Sequence, residues 1–317
     1  MSIKMLGTGF YVPEKIVTND DLSKMVETSD EWIVQRVGVK ERHVSVNETT
    51  ADLAVNAAKN ALDNAGITAD RLGLIVAATI SSDSLCPTVA GSVQQRLGAT
   101  CPAFDVSSAC SGFIFALETV ASLIERRKMD YALVIGAERL SKIIDWTDRS
   151  TCVIFGDGAG AAVVAPGENY LSSLIYTKAG SDVIDIPASF GSSPFYEGET
   201  KRPFVFMAGQ ETFKFAVNKM TEDIKQVVGE AGLTFDDIDH VVVHQANIRI
   251  IAFASKRLGI PMEKFFVNIE KYGNTSAASI PIALAELNET GRLKRGDIVV
   301  MSAFGGGLSS AACVIRW

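Results

Sequence analysis

The chain has 317 residues, of which 47% are hydrophobic and 21% are charged, and its formal net charge is −7. This composition is typical of a globular α/β protein with one or two large cores, and it excludes a disordered or fibrous chain. The acidic balance argues against a nucleic-acid-binding protein. No apolar run approaches the length of a membrane span, and the N-terminus lacks a signal-peptide pattern, so we expect no membrane partner.

Five cysteines are spread along the chain, at Cys86, Cys101, Cys110, Cys152 and Cys313. Their number is odd and no CxxC pair occurs, so the pattern indicates neither a disulfide framework nor a zinc ribbon. We therefore expect a protein of the reducing cytoplasm.

A duplication organises the chain. Residues 65–76 and 231–242 share an Ala-Gly turn that leads into an apolar strand, at an offset of 231 − 65 = 166 residues. Residues 132–137 and 298–303 are two further apolar strands at the same offset, 303 − 137 = 166. In each half, a strand, a turn of small residues and an apolar helix follow one another.

This repeat predicts two related α/β halves, residues 1–170 and 171–317, packed against each other. The turn of the first half contains Cys110, and the turn of the second half contains Asn274. Related halves place equivalent turns near a pseudo-twofold axis, so we expect the two side chains to converge.

Cys110 stands between an apolar strand and a predicted apolar helix over residues 111–125. Small neighbours permit a sharp turn that leaves the sulfur accessible, and the helix N-terminus favours the thiolate. The pattern resembles a nucleophile elbow with sulfur in place of hydroxyl. A buried core cysteine is the alternative. Because the helix is apolar almost all round, we expect it to be central and buried.

The glycine-rich run over residues 156–160 superficially resembles a dinucleotide-binding loop. The residues that follow, 161–164, are strand-like, whereas the dinucleotide fingerprint requires a helix there. The run therefore predicts a structural turn.

Further candidate site residues lie just after predicted strands or at the start of predicted helices. His244 ends a β-branched run, where α/β folds place chemistry, although a core histidine is the alternative. His43 and His240 stand in polar stretches and are expected at the surface. Asn274 precedes an apolar helix, so an N-cap role competes with a catalytic one. The glycines at 305–307 favour either an oxyanion hole or a close backbone approach.

Seven motifs together resemble the β-ketoacyl-[acyl carrier protein] synthase III family of the thiolase-like superfamily. They are TSDEWI (28–33), ERH (41–43), ACSGF (109–113), FGDGAG (155–160), HQAN (244–247), GNTS (273–276) and AFGGG (303–307). The resemblance implies a thiolase-like α/β fold, in which two duplicated halves form a five-layered αβαβα core. It also implies CoA thioesters as substrates and no further cofactor.

The reaction that the resemblance implies is a decarboxylating Claisen condensation. Acyl-CoA and malonyl-[acyl carrier protein] give 3-oxoacyl-[acyl carrier protein] through an acyl-cysteine, which initiates fatty acid synthesis. The implied partners are acyl carrier protein, acyl-CoA and a second copy of the chain. A related acyltransferase or condensing enzyme of a specialised pathway, and a non-catalytic homologue, are the alternatives. A thiolase is disfavoured because Cys313 lies beyond the C-terminal glycines.

The resemblance implies residue roles as well. The catalytic set is Cys110, His244 and Asn274, and the oxyanion is held by the backbone N–H groups of Cys110 and Gly306. Contacts to CoA and its pantetheine arm are expected from Thr28, Trp32, Arg36, Arg149, Gly209 and Asn247. Docking of the acidic carrier protein is expected at Lys214, Arg249, Lys256 and Arg257. Cys86 stands where many relatives have Phe, at a position that reaches across the dimer interface to the end of the acyl pocket, so it predicts a deeper pocket.

Overall fold

Strands and helices alternate along most of the chain in the structure, a computed structural model that describes residues 2–187, 194–195 and 204–317. The strands are β1 (Ser2–Tyr11), β2 (Ile16–Thr18), β3 (Glu41–His43), β4 (Leu74–Ala78), β5 (Ala103–Val106), β6 (Ala132–Glu138), β7 (Gly158–Gly167), β8 (Tyr170–Thr177), β9 (Ile184–Asp185), β10 (Phe206–Met207), β11 (His240–Val243), β12 (Ile298–Gly305) and β13 (Ser309–Arg316). The α-helices are α1 (Asn19–Ser23), α2 (Asp30–Arg36), α3 (Thr50–Ala65), α4 (Val89–Leu97), α5 (Gly112–Arg127), α6 (Arg149–Cys152), α7 (Gly209–Glu230), α8 (Ile248–Leu258), α9 (Ile269–Tyr272) and α10 (Ser279–Glu289). Within the described residues, none of these helices is both long and apolar enough to cross a membrane.

Two larger sheets repeat one topology. The first has the order β1-β7-β6-β4-β5, in which β4 is parallel to β5 and β6, and β7 is antiparallel to both of its neighbours. The second has the order β11-β12-β13-β8, in which β11 is parallel to β12 and the other pairs are antiparallel. Strands β11, β12, β13 and β8 thus correspond to β4, β6, β7 and β1, which confirms the predicted duplication. The division of the chain after residue 170 stays a prediction.

Helices complete a five-layered αβαβα arrangement. Helices α5 and α10 lie between the two sheets, α3 and α4 cover the first sheet, and α7 and α8 cover the second. The helix predicted over residues 111–125 is α5, and its buried side chains Phe113, Leu117, Val120 and Ile124 belong to the central core. A helix with apolar side chains on every face requires this central position.

The glycine-rich run that resembles a dinucleotide-binding loop begins β7, which contains Gly158–Gly167, and a strand rather than a helix follows it, as predicted; the predicted turn is confined to the irregular residues 156–157. At Gly160 an added Cβ would lie 2.5 Å from the backbone nitrogen of Ile282 in α10. Glycine is required there because the helix backbone lies directly against the strand.

Two histidines expected at the surface are partly buried instead. His43 lies in β3, where its Nδ1 contacts the carbonyl oxygen of Pro13 and its ring packs 5.6 Å from that of Tyr272. His240 begins β11, and its Nε2 lies 3.1 Å from a carboxylate oxygen of Asp297. The surface prediction was wrong because polar neighbours in sequence do not reveal which polar groups find partners beneath the surface.

Candidate active site

A cavity of about 350 Å³ lies between the two halves of the molecule, within the size range of small-molecule sites. Its lining includes Cys110 from the first half, and His244 and Asn274 from the second. The structure therefore brings the three predicted catalytic side chains to one cavity.

Cys110 occupies a strand–turn–helix connection between β5 and α5. The preceding residue, Ala109, has a left-handed backbone with φ of +44°, and residues 109–111 form a single 3-10 turn before α5. The Ser111 hydroxyl donates to the Ser108 carbonyl at 2.8 Å and lies 2.8 Å from the Ser309 hydroxyl. The second half of the chain thus holds the elbow in place.

Burial and the helix N-terminus act in opposite directions on the pKa of the Cys110 thiol. Burial raises the pKa of Cys110 to about 12; the Ser276 hydroxyl lowers it and the Glu138 carboxylate raises it. The side chain keeps partial solvent access through the cavity, but protein atoms surround the sulfur. A helix N-terminus contributes about 0.3–1 kcal/mol, less than one pKa unit. The helix end favours the thiolate, as predicted, but burial acts in the opposite direction and is the larger effect.

His244 follows the last residue of β11. Its backbone N–H donates to the carbonyl of Ser302 at 2.9 Å, and its ring meets the edge of Phe304 with centroids 5.2 Å apart. Burial lowers the pKa of His244 to about 3, so the imidazole is neutral. Nδ1 has no hydrogen-bond partner among the described residues. A neutral imidazole offers one N–H donor to the cavity without bringing a charge.

Asn274 is held from both sides by a segment that precedes β7. Its backbone N–H donates to the Ile154 carbonyl at 2.9 Å, and its carbonyl accepts from the Gly156 N–H at 3.0 Å. Its side-chain Oδ1 accepts from the backbone N–H of Ser276 at 2.8 Å. Because a backbone N–H only donates, this bond orients the amide and leaves the Nδ2 donors for the cavity. The N-cap alternative was wrong, because Thr275 is the N-cap of the 3-10 turn at residues 276–278 and Ala278 is that of α10.

The glycines at the end of β12 allow this strand to approach the elbow. An added Cβ at Gly305 would lie 2.7 Å from the backbone nitrogen of Cys110, and one at Gly306 would lie 3.6 Å from the Cβ of Ala109. The prediction that these glycines allow a close backbone approach is therefore confirmed. Because Gly306 and Cys110 are brought together here, the geometry is compatible with a shared oxyanion hole, which stays a prediction.

Trp32 and Arg149 lie against each other. The Arg149 guanidinium carbon is 5.0 Å from the Trp32 ring centroid, and Nη1 of Arg149 donates to the Glu27 carbonyl at 2.7 Å. A ring sandwiched between the two would need a gap of about 7 Å, since each stacked face lies about 3.5 Å away. An adenine can enter only if Arg149 moves aside.

The other predicted CoA contacts lie around this pair. The Asn247 amide donates to the Arg36 carbonyl at 3.0 Å and caps α8. The Thr28 hydroxyl is buried without a partner among the described residues. Neither Gly209 nor Asn247 lines the cavity, although their neighbours Thr212 and Ala246 do. These contacts therefore stay predictions.

A basic patch lies on α7 and α8. It consists of Lys214, Arg249, Lys256 and Arg257, all of which are exposed. The Arg249 guanidinium lies 5.7 Å from the ring centroid of Phe213, which joins the two helices. Within the part of the chain that the structure describes, no carboxylate pairs with these four side chains. Their charge is available to a partner.

Cys86 is exposed, in the connection between β4 and α4. It does not line the cavity of the single chain. Its expected place at the end of an acyl pocket depends on a second copy of the chain and stays a prediction.

Glu138, the last residue of β6, is not among the site residues predicted from the sequence. This fully buried side chain accepts hydrogen bonds from the Thr79 hydroxyl, the Ile80 N–H and the Ser81 hydroxyl. Burial raises the pKa of Glu138 to about 7, even though these donors favour the carboxylate. A charged residue at the end of an apolar strand was the available signal, the same one that identified His244.

Glu138→Gln should make Cys110 more reactive above pH 7. Removing the carboxylate lowers the thiol pKa, so iodoacetamide alkylation of Cys110 should be roughly two- to tenfold faster at pH 9, for a change of up to about one pKa unit. Near pH 6 the rates should converge, because Glu138 is then protonated in the unmodified protein. Asp157→Asn, at a buried carboxyl bound by Ser141, is the control. Equal rates at pH 9 would contradict the coupling.

The comparisons place the chain in a known family. The family model for 3-oxoacyl-[acyl-carrier-protein] synthase III matches residues 104–183, and its C-terminal model matches residues 228–317. The β-ketoacyl-[acyl-carrier-protein] synthase III of Clostridium acetobutylicum is 49% identical, over 100% of this chain and 99% of that protein. The crystal structure of 3-oxoacyl-[acyl-carrier-protein] synthase III from Aquifex aeolicus VF5 has a TM-score of 0.93 and 45% identity, covering 99% of this chain and 100% of that chain. The priming β-ketosynthase of the R1128 polyketide biosynthetic pathway has a TM-score of 0.93 and 32% identity, covering 99% of this chain and 96% of that chain. The chain therefore belongs to the β-ketoacyl-[acyl-carrier-protein] synthase III family.

Proposed function

We propose that the protein condenses acyl-CoA with malonyl-[acyl carrier protein], with loss of CO₂, to give 3-oxoacyl-[acyl carrier protein] and to start fatty acid synthesis. The observation that carries this proposal is the convergence of Cys110, His244 and Asn274 on one cavity. The 49% identity to the β-ketoacyl-[acyl-carrier-protein] synthase III of Clostridium acetobutylicum, against 32% to the polyketide priming enzyme, favours this function over one in a specialised pathway.

The first half-reaction loads the acyl group. The Cys110 sulfur attacks the thioester carbonyl of acyl-CoA, a new C–S bond forms, and the C–S bond to CoA breaks. The thiol proton ends on the departing CoA sulfur. Negative charge develops on the carbonyl oxygen, and the backbone N–H groups of Cys110 and Gly306 are proposed to stabilise it. Trp32 and Arg149 are proposed to hold the adenine at the mouth, with Thr28, Arg36, Gly209 and Asn247 beside the rest of the CoA.

The second half-reaction forms the C–C bond. The malonyl thioester loses CO₂, and the electron pair of the broken bond enters an enolate. The His244 N–H and the Asn274 Nδ2–H₂ donate to the enolate oxygen. The enolate carbon then attacks the acyl-cysteine carbonyl, and the Cys110 sulfur leaves and regains a proton. Neutral donors suit this step, because they stabilise charge that appears only during the reaction.

His244→Ala and Asn274→Ala should reduce malonyl decarboxylation by about 10²- to 10³-fold, the usual cost of one lost donor at a developing oxyanion. Loading of radiolabelled acyl groups onto Cys110 should fall much less, because the two donors face the enolate. Release of labelled CO₂ and mapping of the acylated peptide measure the two steps. Cys110→Ala, which should lose the acyl label completely, is the control.

A variant that loses acyl loading yet still decarboxylates malonyl thioester would contradict this division of roles. Label on Cys86, Cys101, Cys152 or Cys313 would overturn Cys110 as the nucleophile.

The basic patch of Lys214, Arg249, Lys256 and Arg257 is proposed to receive the acyl carrier protein. A carrier protein is acidic, so unpaired cations on one face provide the complementary charge that speeds encounter. The patch lies on the two helices that cover the second sheet, and Thr212 of α7 and Ala246 just before α8 line the cavity. A carrier docked here therefore lies close to the site of condensation.

Arg249→Glu or Lys256→Glu should raise the KM for malonyl-[acyl carrier protein] by roughly tenfold, with little change in the KM for acyl-CoA. Lys59→Glu, at an exposed lysine of α3 on the opposite outer layer, is the matched control. The unmodified enzyme should also slow with carrier-bound substrate as salt rises above about 0.1 M, where charges are screened over roughly 10 Å. Equal losses for both substrates would indicate a folding defect instead.

We further propose a cytoplasmic homodimer. Among the described residues, strand β5 pairs with β4 alone, which leaves its other edge without a neighbour in that part of the chain, and it carries the apolar, half-buried Phe104 and Val106. An open apolar edge strand favours pairing with another chain. In such a dimer the exposed Cys86 of one copy is proposed to reach the acyl pocket of the other. All five cysteines are free, as expected in a reducing compartment.

Cys86→Phe should shift the enzyme toward acetyl-CoA, whereas the unmodified enzyme should use acyl-CoAs longer than C4. Each methylene of the acyl chain that is buried in an apolar space contributes about 0.8 kcal/mol to binding. Two or three buried methylenes therefore change the preference between acyl-CoAs by roughly one to two powers of ten. Turnover of C2 to C10 acyl-CoAs, straight and branched, measures this. Leu85→Phe is the neighbouring control. An unchanged profile in Cys86→Phe, or the same shift from Leu85→Phe, would contradict the assignment.

A further inference from the structure

Arg42 is the largest fully buried side chain in the described residues, and the reaction described above does not use it. Its Nη1 donates to the Val17 carbonyl at 3.1 Å and its Nη2 to the Val153 carbonyl at 2.9 Å. Nε has no partner, and no carboxylate among the described residues forms an ion pair with the guanidinium. Burial lowers the pKa of Arg42 to about 10, so the side chain remains a cation at neutral pH.

A buried cation with main-chain carbonyls as its partners is expensive to keep. An apolar side chain of similar volume avoids that cost, but it cannot donate to two carbonyls in fixed directions. The planar guanidinium does so with one rigid group. Arg42 therefore ties β2, through Val17, to the segment that starts at Val153.

That segment is the one that holds Asn274. Ile154 accepts from the Asn274 backbone N–H, and Gly156 donates to the Asn274 carbonyl. The body of the Arg42 side chain lies directly behind this contact. Added Cβ atoms at Gly156 and Gly273 would lie 3.2 and 3.6 Å from the Cβ of Arg42.

Arg42 thus lies against the backbone on each side of the Asn274 turn. The Val153 carbonyl, which accepts from Arg42, also links Arg42 to Arg149. Val153 directly follows α6, the helix that begins with Arg149. Loss of the guanidinium would free the 153–156 segment, and with it the backbone that aims the Asn274 amide.

We propose that Arg42 is a positioning residue that fixes the Asn274 amide for malonyl decarboxylation by holding residues 153–156 against the Asn274 turn. This inference rests on the proposed role of Asn274 as a donor to the enolate. A displacement of about 1 Å in a positioned group is enough to cost on the order of 10²-fold in rate.

Arg42→Met removes the guanidinium group and keeps a side chain of similar length. Decarboxylation of malonyl-[acyl carrier protein] should fall roughly ten- to hundredfold. Loading of Cys110 from an acyl-pantetheine thioester, which lacks the nucleotide and so does not depend on Arg149, should stay within about threefold, because no hydrogen bond among the described residues joins the Cys110 elbow to residues 153–156. Arg295→Met is the control: the exposed Arg295 also donates to two main-chain carbonyls, those of Met5 and Leu6, but neither belongs to the segment that holds Asn274.

Thermal unfolding of each variant separates positioning from stability. If Arg42 only stabilises the fold, both rates fall together with the folded fraction, and the inference is overturned. Should Arg42→Met not fold, Arg42→Lys keeps the charge without the two-carbonyl fork, and it should show the same selective loss to a smaller degree. Equal rates in Arg42→Lys and the unmodified enzyme would also overturn the inference.

Asn274→Ala is measured beside these variants. Undiminished decarboxylation in Asn274→Ala would refute the proposed function. A strong loss in Asn274→Ala with no selective loss in the Arg42 variants would refute only the role of Arg42.

Discussion

The site depends on backbone-to-backbone contact between the two halves of the chain. An added Cβ at Gly136, in β6 of the first sheet, would lie 2.2 Å from the carbonyl oxygen of Ala277, in the turn of the second half. At Gly305, in β12 of the second sheet, it would lie 2.7 Å from the backbone nitrogen of Cys110. Each half therefore braces the turn of the other with a strand, and glycine is required where they touch. The positions of Cys110 and of the Asn274 turn follow from these contacts.

Much of this arrangement was predictable because it repeats in the sequence. The 166-residue offset revealed the duplication, and an apolar helix behind a small-residue turn located Cys110 and, in the second half, Asn274. The electrostatics were not predictable in the same way. The expectation that a helix N-terminus favours the thiolate depends only on neighbouring residues in the sequence. The raised pKa of Cys110 instead comes from burial among residues that are distant in sequence. His244 could be placed at a strand end, but not recognised as neutral.

Buried charges were the main features that a single sequence concealed. Arg42 and Glu138 are both fully buried, yet Arg42 stands between Glu41 and His43 in a stretch that is typical of a surface. A charged residue in a polar stretch is ordinarily solvated, and only the folded chain shows which carbonyls or hydroxyls surround it. Arg42 belongs to a recognised motif, but the motif alone did not indicate that it lies behind Asn274.

The two buried ionisable side chains also explain how a site of neutral groups is kept rigid. Burial shifts the pKa values of Cys110 and His244 toward their neutral forms, so any charge in the proposed reaction would appear there only while bonds are changing. Donors that face such transient charge act strongly in a low-dielectric site, provided that they need not reorganise. Arg42 and Glu138 stand outside the cavity lining and bind the backbone around it, Arg42 at Val153 and Glu138 at Ile80. The buried ionisable side chains outside the cavity thus hold its backbone in place, while neutral side chains line the cavity itself.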